Sequence, residues 1–220
     1  KFMSILSKSL ERIKPSPTIS VTQKARELKA KGADIISLGS GEPDFDTPDN
    51  VKSAAIEAIK NGQTKYTAVD GTVDLKNAIV SKFKKENNLT YEKNQISVGA
   101  GGKQVIYNAF LATINSGDEI IIPSPFWVSY PDIVLLAGGI PKIIECGEED
   151  NFKLTAKSLK KNITQKTKWL IINSPGNPTG SCYSEQEINE LVDVLVKYPK
   201  ILIMSDDIYE HIIYDEFNFY

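Results

Sequence analysis

Only one histidine, His211, and two cysteines, Cys146 and Cys182, occur among the 220 residues. The cysteines are far apart and in no metal-ligand spacing, so no zinc centre can be assembled from them. Two separated thiols also fit a reducing compartment better than a disulfide-stapled secreted scaffold. A surplus of one charge is missing too, because 26 Lys and Arg stand against 28 Asp and Glu. That balance supplies no sequence-wide attraction to nucleic acid or to an anionic membrane. Lysines do gather at 82–85 and 157–161, a pattern that suits solvated helix faces. No apolar stretch is long enough to span a bilayer, and Lys1-Phe2-Met3 begins no signal-peptide run. The expected location is therefore the cytoplasm. Neither a Walker loop nor a Gly-x-Gly-x-x-Gly fingerprint with its downstream acidic residue is present, which disfavours a nucleotide-binding domain. Internal repeats and low-complexity segments are absent.

What is present is an alternation of short apolar runs and amphipathic segments. A length of 220 residues usually means one domain, or one domain with a small appendage, and allows a sizeable core. A proline-marked stretch at 14–18 leads into an expected helix over 21–31, capped by Ser20 or Thr18 and ended by Gly32. Residues 34–38 read as a strand. Val51, Ala54, Ala55, Ala58 and Ile59 share one helical face that stops at Gly62, and Leu75, Ala78, Ile79 and Phe83 mark another helix. Further strands are expected at 95–98, 119–122, 142–145, 169–173 and 201–205, with helices at 103–114, 128–137, 156–161 and 185–197 between them.

Such alternation predicts an α/β fold with a mostly parallel sheet. The runs Ile120-Ile121-Ile122 and Leu170-Ile171-Ile172 are continuous, as strands covered on both faces require. Residues 1–46 read as an arm and part of a smaller domain, and 47–220 as the large domain.

In open parallel sheets, ligands bind beyond the carboxyl ends of the strands. The residues just past each expected strand are therefore informative. Gly99-Ala-Gly-Gly-Lys-Gln104 comes after Val98, Pro123-Ser-Pro-Phe-Trp127 after Ile122, and Ser174-Pro-Gly-Asn-Pro-Thr-Gly180 after Asn173. Asp206-Asp-Ile-Tyr209 comes after Ser205. A glycine-rich anion loop, an indole, an amide, a carboxylate and a phenol together suit a planar, charged, phosphorylated ligand.

The chain resembles the fold-type I, pyridoxal-phosphate-dependent class I aminotransferases, and within them the bacterial aspartate aminotransferase subgroup. Gly41-Glu-Pro-Asp-Phe-Asp-Thr-Pro48, Gly102-Lys-Gln104, Ser124-Pro-Phe-Trp-Val-Ser-Tyr130, Ser174 to Gly180 and Ser205-Asp-Asp-Ile-Tyr-Glu-His211 carry the resemblance, in order, from about Lys14 onward. It implies the large pyridoxal-phosphate-binding domain with part of the small one.

The resemblance implies a role for each residue, and each has a plainer use beside it. Gly101, Gly102 and Lys103 would receive the cofactor phosphate at a helix start, where free N–H groups and the helix dipole favour an anion; an ordinary glycine turn looks the same. Asp206 would sit against the pyridine nitrogen and keep it protonated, making the ring an electron sink; aspartate also caps helices and turns. Asn177 and Tyr209 would hydrogen-bond the ring's phenolic oxygen, although an Asn-Pro turn accounts for Asn177 equally. Trp127 would stack or edge against cofactor and substrate, or lie in a core. Gly41 would let backbone approach the substrate carboxylate. Tyr66 matches a tyrosine that reaches the phosphate of a neighbouring subunit, implying a homodimer with shared sites. Thr18 and Lys103 are further candidates for a substrate side-chain carboxylate.

Members of the family hold the cofactor as a Schiff base on a lysine downstream of the aspartate–tyrosine strand, and they use later arginines for the phosphate and the substrate carboxylate. No lysine up to Tyr220 occupies that position. The expected activity of the complete protein is transamination between L-aspartate and 2-oxoglutarate. Aromatic, alanine or prephenate substrates, or carbon–sulfur lyase chemistry, are related possibilities. The 220 residues alone are expected to be inactive, a folding or dimerisation module at most.

Overall fold

The apolar runs become four parallel strands of one sheet in a computed structural model that describes residues 5–39 and 41–220. The start of the expected arm, 1–4, and Ser40 beside Gly41 lie outside the described residues. In chain order the helices are α1 (Pro17–Ala30), α2 (Asp49–Lys60), α3 (Val73–Asn87), α4 (Gly102–Thr113), α5 (Ser129–Leu136), α6 (Ala156–Asn162) and α7 (Glu185–Leu195). The strands are β1 (Glu119–Ser124), β2 (Ile140–Glu145), β3 (Thr167–Asn173) and β4 (Leu202–Asp206), in the spatial order β2-β1-β3-β4. Contacts divide the chain into two units: residues up to Ser16 together with Ile106–Tyr220, and Pro17–Val105.

The first unit contains the sheet. Ile120, Ile121, Ile122, Leu170 and Ile171 are all fully buried, the finding that their continuous apolar runs anticipate. Period-two alternation sends Ile121 and Leu170 to one face, against Leu159 of α6 and Leu191 and Leu195 of α7. Ile120, Ile122 and Ile171 face the other way, against Phe110 of α4 and Ile133 and Val134 of α5. Each such burial stabilises by roughly 2 kcal/mol. Close packing explains Gly139 at the turn into β2. A Cβ there would lie 2.8 Å from Ile120 Cδ1 and 2.9 Å from Ile114 Cγ2. A capping box starts α7: Ser184 Oγ accepts from the Glu187 N–H, and Glu187 Oε2 accepts from the Ser184 N–H.

In the second unit α1 begins at Pro17 rather than near residue 21. Proline suits the first helical position, because its missing N–H would be unbonded there anyway. Thr72 caps α3 by accepting the Leu75 N–H at 3.3 Å, and Asn88, with φ +53°, ends it. Lys76 is buried and paired with Asp70, whose carboxyl the ammonium holds below the usual range. The expected strands at 34–38 and 95–98 form no ladder: 34–38 has no regular structure, and Gln95 ends a short 3-10 helix, Lys93–Gln95. A strand exists only through a neighbour. Val98 donates one backbone bond, to the Asp70 carbonyl at 3.0 Å, while Ile36 and Leu38 stay exposed. Among the described residues of 17–105 only Lys76 and Ile96 are buried. The expected apolar face of α2 forms, yet Val51 and Ile59 remain exposed. No helix among the described residues is long and apolar enough to cross a membrane.

Candidate functional site

Strand order dictates where the sheet opens. From β1 the chain moves to β2 on one side, then returns to place β3 on the other, so the order reverses between β1 and β3. Loops leaving two adjacent strands at such a point diverge and leave a crevice beyond their carboxyl ends. A cavity of about 30 Å³ lies there, bordered by Ile122, Tyr130, Ile171, Asn173 and Asn177. It has room for a water or two. A larger ligand would rest over the strand ends outside it.

Asp206 is the last residue of β4 and pairs in register with Asn173, the last of β3. Its carboxylate Oδ2 accepts a hydrogen bond from the Tyr130 hydroxyl at 2.6 Å. Tyr130 sits in the first turn of α5, buried, with Trp127 edge-on at 5.3 Å between ring centroids. Burial first, then the hydrogen bond and charge of Asp206, push the phenol of Tyr130 far above its ordinary value. It is thus a fixed proton donor across the accessible pH range. Among the described residues no donor bonds the other Asp206 oxygen, Oδ1. The neighbouring Asp207 is engaged differently, accepting from Ser205 Oγ at 2.6 Å. Tyr209 is half-buried in the turn after β4, and its phenol adds electrostatically to the shift of Tyr130.

Asn177 is half-buried in the loop after β3. Its backbone N–H donates to Asn173 Oδ1 at 2.8 Å, and Asn173 Nδ2 donates to the Asp206 carbonyl at 2.7 Å. One unit therefore unites Trp127, Asn177, Asp206 and Tyr209 at the carboxyl ends of three adjacent strands. Two members escaped sequence reasoning, Tyr130 and Asn173. Each had a signal: Tyr130 is one helical turn from Trp127, and Asn173 is the strand-end residue four before Asn177.

The remaining candidates belong to the other unit or its edge. Gly101 turns the chain with φ +89°, and α4 starts at Gly102 with Lys103 exposed behind it. Gln104 Oε1 accepts from the Ala100 N–H and ties the turn down. Gly41 is exposed, and a Cβ there would meet nothing within 4 Å among the described residues. Among the described residues, no neighbour requires glycine at that position. Tyr66 is fully exposed. The Thr18 carbonyl accepts from Thr22 Oγ1 inside α1.

A parallel sheet covered by helices on both faces, with a carboxylate, an amide, a phenol and an indole at its strand ends, defines an α/β protein. The chain belongs to the aminotransferase class I and II family, whose model matches residues 33–220. It is 61% identical over 218 residues to a probable aspartate/prephenate aminotransferase of Rickettsia bellii, covering 99% of this chain and 55% of that protein. With the aspartate/prephenate aminotransferase of Cereibacter sphaeroides the identity is 58%, over 99% of this chain and 54% of that one. Among solved structures, an aspartate aminotransferase from Rhizobium meliloti superposes with a TM-score of 0.94 at 45% identity, covering 99% of this chain and 54% of its own. The Thermus thermophilus aspartate aminotransferase with maleate gives 0.94 at 41%, covering 99% and 57%. The chain thus spans about half the length of the relatives it matches.

Proposed function

We propose that the complete protein is a pyridoxal-phosphate-dependent aminotransferase that takes its amino group from L-aspartate and passes it to 2-oxoglutarate or to prephenate. Family membership and the names of the relatives support the reaction class and the aspartate and prephenate specificity. Maleate, a four-carbon dicarboxylate in the Thermus structure, supports a dicarboxylic substrate. The observation that carries the reading is Asp206, with one oxygen held by Tyr130 and the other unbonded among the described residues, beside the amide-bearing loop of Asn177.

The donor set fits the cofactor. In the sheet unit a carboxylate with one oxygen to spare suits a pyridine N–H, and an amide and a phenol suit a ring oxygen; in the other unit, taken by itself, a glycine turn at a helix start suits a phosphate. Bound there, the group would supply an electron sink for the substrate's α-carbon. Asp206 Oδ1 would hold a proton on the ring nitrogen, while Tyr130 keeps Oδ2 occupied and the carboxylate oriented. Asn177 and Tyr209 would donate to the phenolic oxygen. Trp127, braced edge-on by Tyr130, would cover one side of the ring and exclude water. By the family resemblance we assign Gly101, Gly102 and Lys103 to the phosphate, and Gly41, Trp127 and Asn177 to the substrate. Movement of the α-proton is assigned to a lysine of the complete protein outside these 220 residues.

The exposed Tyr66 supports a homodimer in which it reaches a neighbouring subunit's phosphate. We also assign residues 1–46 to an arm and part of a small domain, 47–220 to the large domain, and the protein to the cytoplasm. A second reading, of the 220 residues alone as an inactive folding or dimerisation module, is supported by their spanning half the relatives' length.

The test uses the full-length protein. Its denatured mass after borohydride reduction with pyridoxal phosphate should rise by one reduced cofactor per chain. L-aspartate should then be consumed only when 2-oxoglutarate or prephenate is supplied. A mass that does not change, with no consumption, overturns the reading.

A further inference from the structure

We propose that Asn173 is a positioning residue whose side-chain amide locks the Asn177 loop to the Asp206 strand end, so that the two groups approach a ligand as one rigid unit. The inference rests on the reading that Asn177 and Asp206 contact the cofactor ring.

Asn173 is where the β3–β4 ladder ends, and backbone groups past that point must find other partners. Its Nδ2 donates to the Asp206 carbonyl at 2.7 Å and its Oδ1 accepts the Asn177 N–H at 2.8 Å. Only an amide side chain offers a donor and an acceptor in this fork, and only one orientation of the amide satisfies both partners. The rest of the loop is tied to itself and to the strand side of α7. The Gly176 N–H bonds the Ser181 carbonyl, the Gly180 N–H bonds the Gly176 carbonyl, and Ser174 Oγ accepts the Tyr183 N–H. Among the described residues, the hydrogen-bonded bridge from this loop to β4 is Asn173. Asp206 is held from the other side by Tyr130, at its carboxylate. The amide thus acts on the backbone beneath Asp206, where no site residue acts.

The experiment takes full-length protein, with pyridoxal phosphate as the probe, in Asn173→Leu, Asn173→Asp, Asn177→Ala and the Asn173→Leu/Asn177→Ala pair. Three quantities are read: cofactor affinity, the pH at which the bound chromophore titrates, and the ¹⁵N shift of ring-labelled cofactor. The second reports on the phenolic oxygen and the third on the ring nitrogen. Asn173→Leu should weaken binding about tenfold, roughly the worth of a hydrogen bond, and move both spectroscopic signals. Asn173→Asp retains the acceptor for Asn177 but sets an oxygen against the Asp206 carbonyl. It should move the ring-nitrogen signal and leave the titration of the chromophore in place. Adding Asn177→Ala to Asn173→Leu should weaken binding less than Asn177→Ala does alone, because linked residues are not additive. Independent, multiplying effects, or a lower melting temperature with both signals unmoved, overturn the proposal. Should Asn173→Leu fail to fold, the near-isosteric Asn173→Asp decides the question. A wild-type protein that binds no pyridoxal phosphate, or an Asp206→Asn variant whose ring-nitrogen signal is native, instead overturns the underlying site assignment.

Discussion

Replacing Tyr130 by Phe removes one oxygen and almost nothing else. The ring is buried and packed between α5 and the sheet, so phenylalanine can fill the same volume and keep the edge-on contact with Trp127. What goes is the 2.6 Å bond to Asp206 Oδ2. Hydrogen bonds to charged groups are worth about 1.5–3 kcal/mol, and because Asp206 is half-buried the low end, about 1.5 kcal/mol, applies. The single substitution also changes the solvation of the buried pocket, so the quantity to measure is the coupling in a double-mutant cycle. Wild type, Tyr130→Phe, Asp206→Asn and the double variant of the full-length protein are unfolded in urea, first without cofactor. The expected coupling is about 1.5 kcal/mol. A value below about 0.5 kcal/mol, the usual error of additivity, would refute the argument that Tyr130 holds the carboxylate. With pyridoxal phosphate present the coupling should grow, because the ligand stabilises only the state in which Asp206 is correctly aimed.

Three further outcomes are expected. Gly139→Ala should cost about 1–3 kcal/mol in urea unfolding, since its Cβ would press on Ile120 Cδ1 and Ile114 Cγ2, and adding Ile120→Val should recover part of that loss. A Gly139→Ala variant as stable as wild type would show that the turn into β2 has slack. Asp70→Asn should lower the melting temperature more than Lys76→Met does, because the first strands a buried ammonium and the second removes it while keeping its bulk; the reverse order would refute the role given to the pair. Tyr183 contributes stability that depends on alkaline pH. Its hydroxyl accepts the Leu154 N–H, and burial, ahead of Cys146 and Glu187, pushes its pKa from 10.0 up to about 12. Because the folded value is raised, that contribution is complete below pH 10 and declines towards pH 12, by about 1.4 kcal/mol per unit. The stability difference between wild type and Tyr183→Phe should therefore be flat below pH 10 and fall above it. A flat difference throughout contradicts the assignment.

Much of this architecture was legible in the sequence, for reasons that can be traced to particular residues. Ile120 to Ile122 and Leu170 to Ile172 had no polar alternation, and a sheet covered on both faces was the consequence. The loops after β1, β3 and β4 announced themselves by glycine, proline and polar or aromatic side chains at strand ends. Residues 34–38 and 95–98 have the same local chemistry as strands, but pairing is a property of the neighbour, and no local pattern reports it. Pro17 read as a break, although at the first position of a helix it is a start. Tyr130 and Asn173 were missed for a related reason. An aromatic at helical spacing looks like core, and an asparagine closing a strand looks like a turn. Their partners, Asp206 and its carbonyl, are 76 and 33 residues away in sequence. Long-range polar partners are set by the fold and cannot be read before it is known.

The in-register meeting of Asn173 with Asp206 has a bearing on how the protein should be handled when it is refolded. Side chains along a strand alternate, so sliding β4 by a single residue turns every one of them to the opposite face. Here that error would be chemically quiet, because the slipped strand would offer Asp207 at the level where Asp206 belongs. The sheet would keep its helices, its carboxylate and much of its circular dichroism. What it would lose is Met204 from its packing against the core, where Ser205 would stand instead, and the spacing that brings Tyr209 to the strand end, and with them the proposed grip on a ligand. Yield and ellipticity would both pass such material as sound; ligand retention is the assay that would reject it.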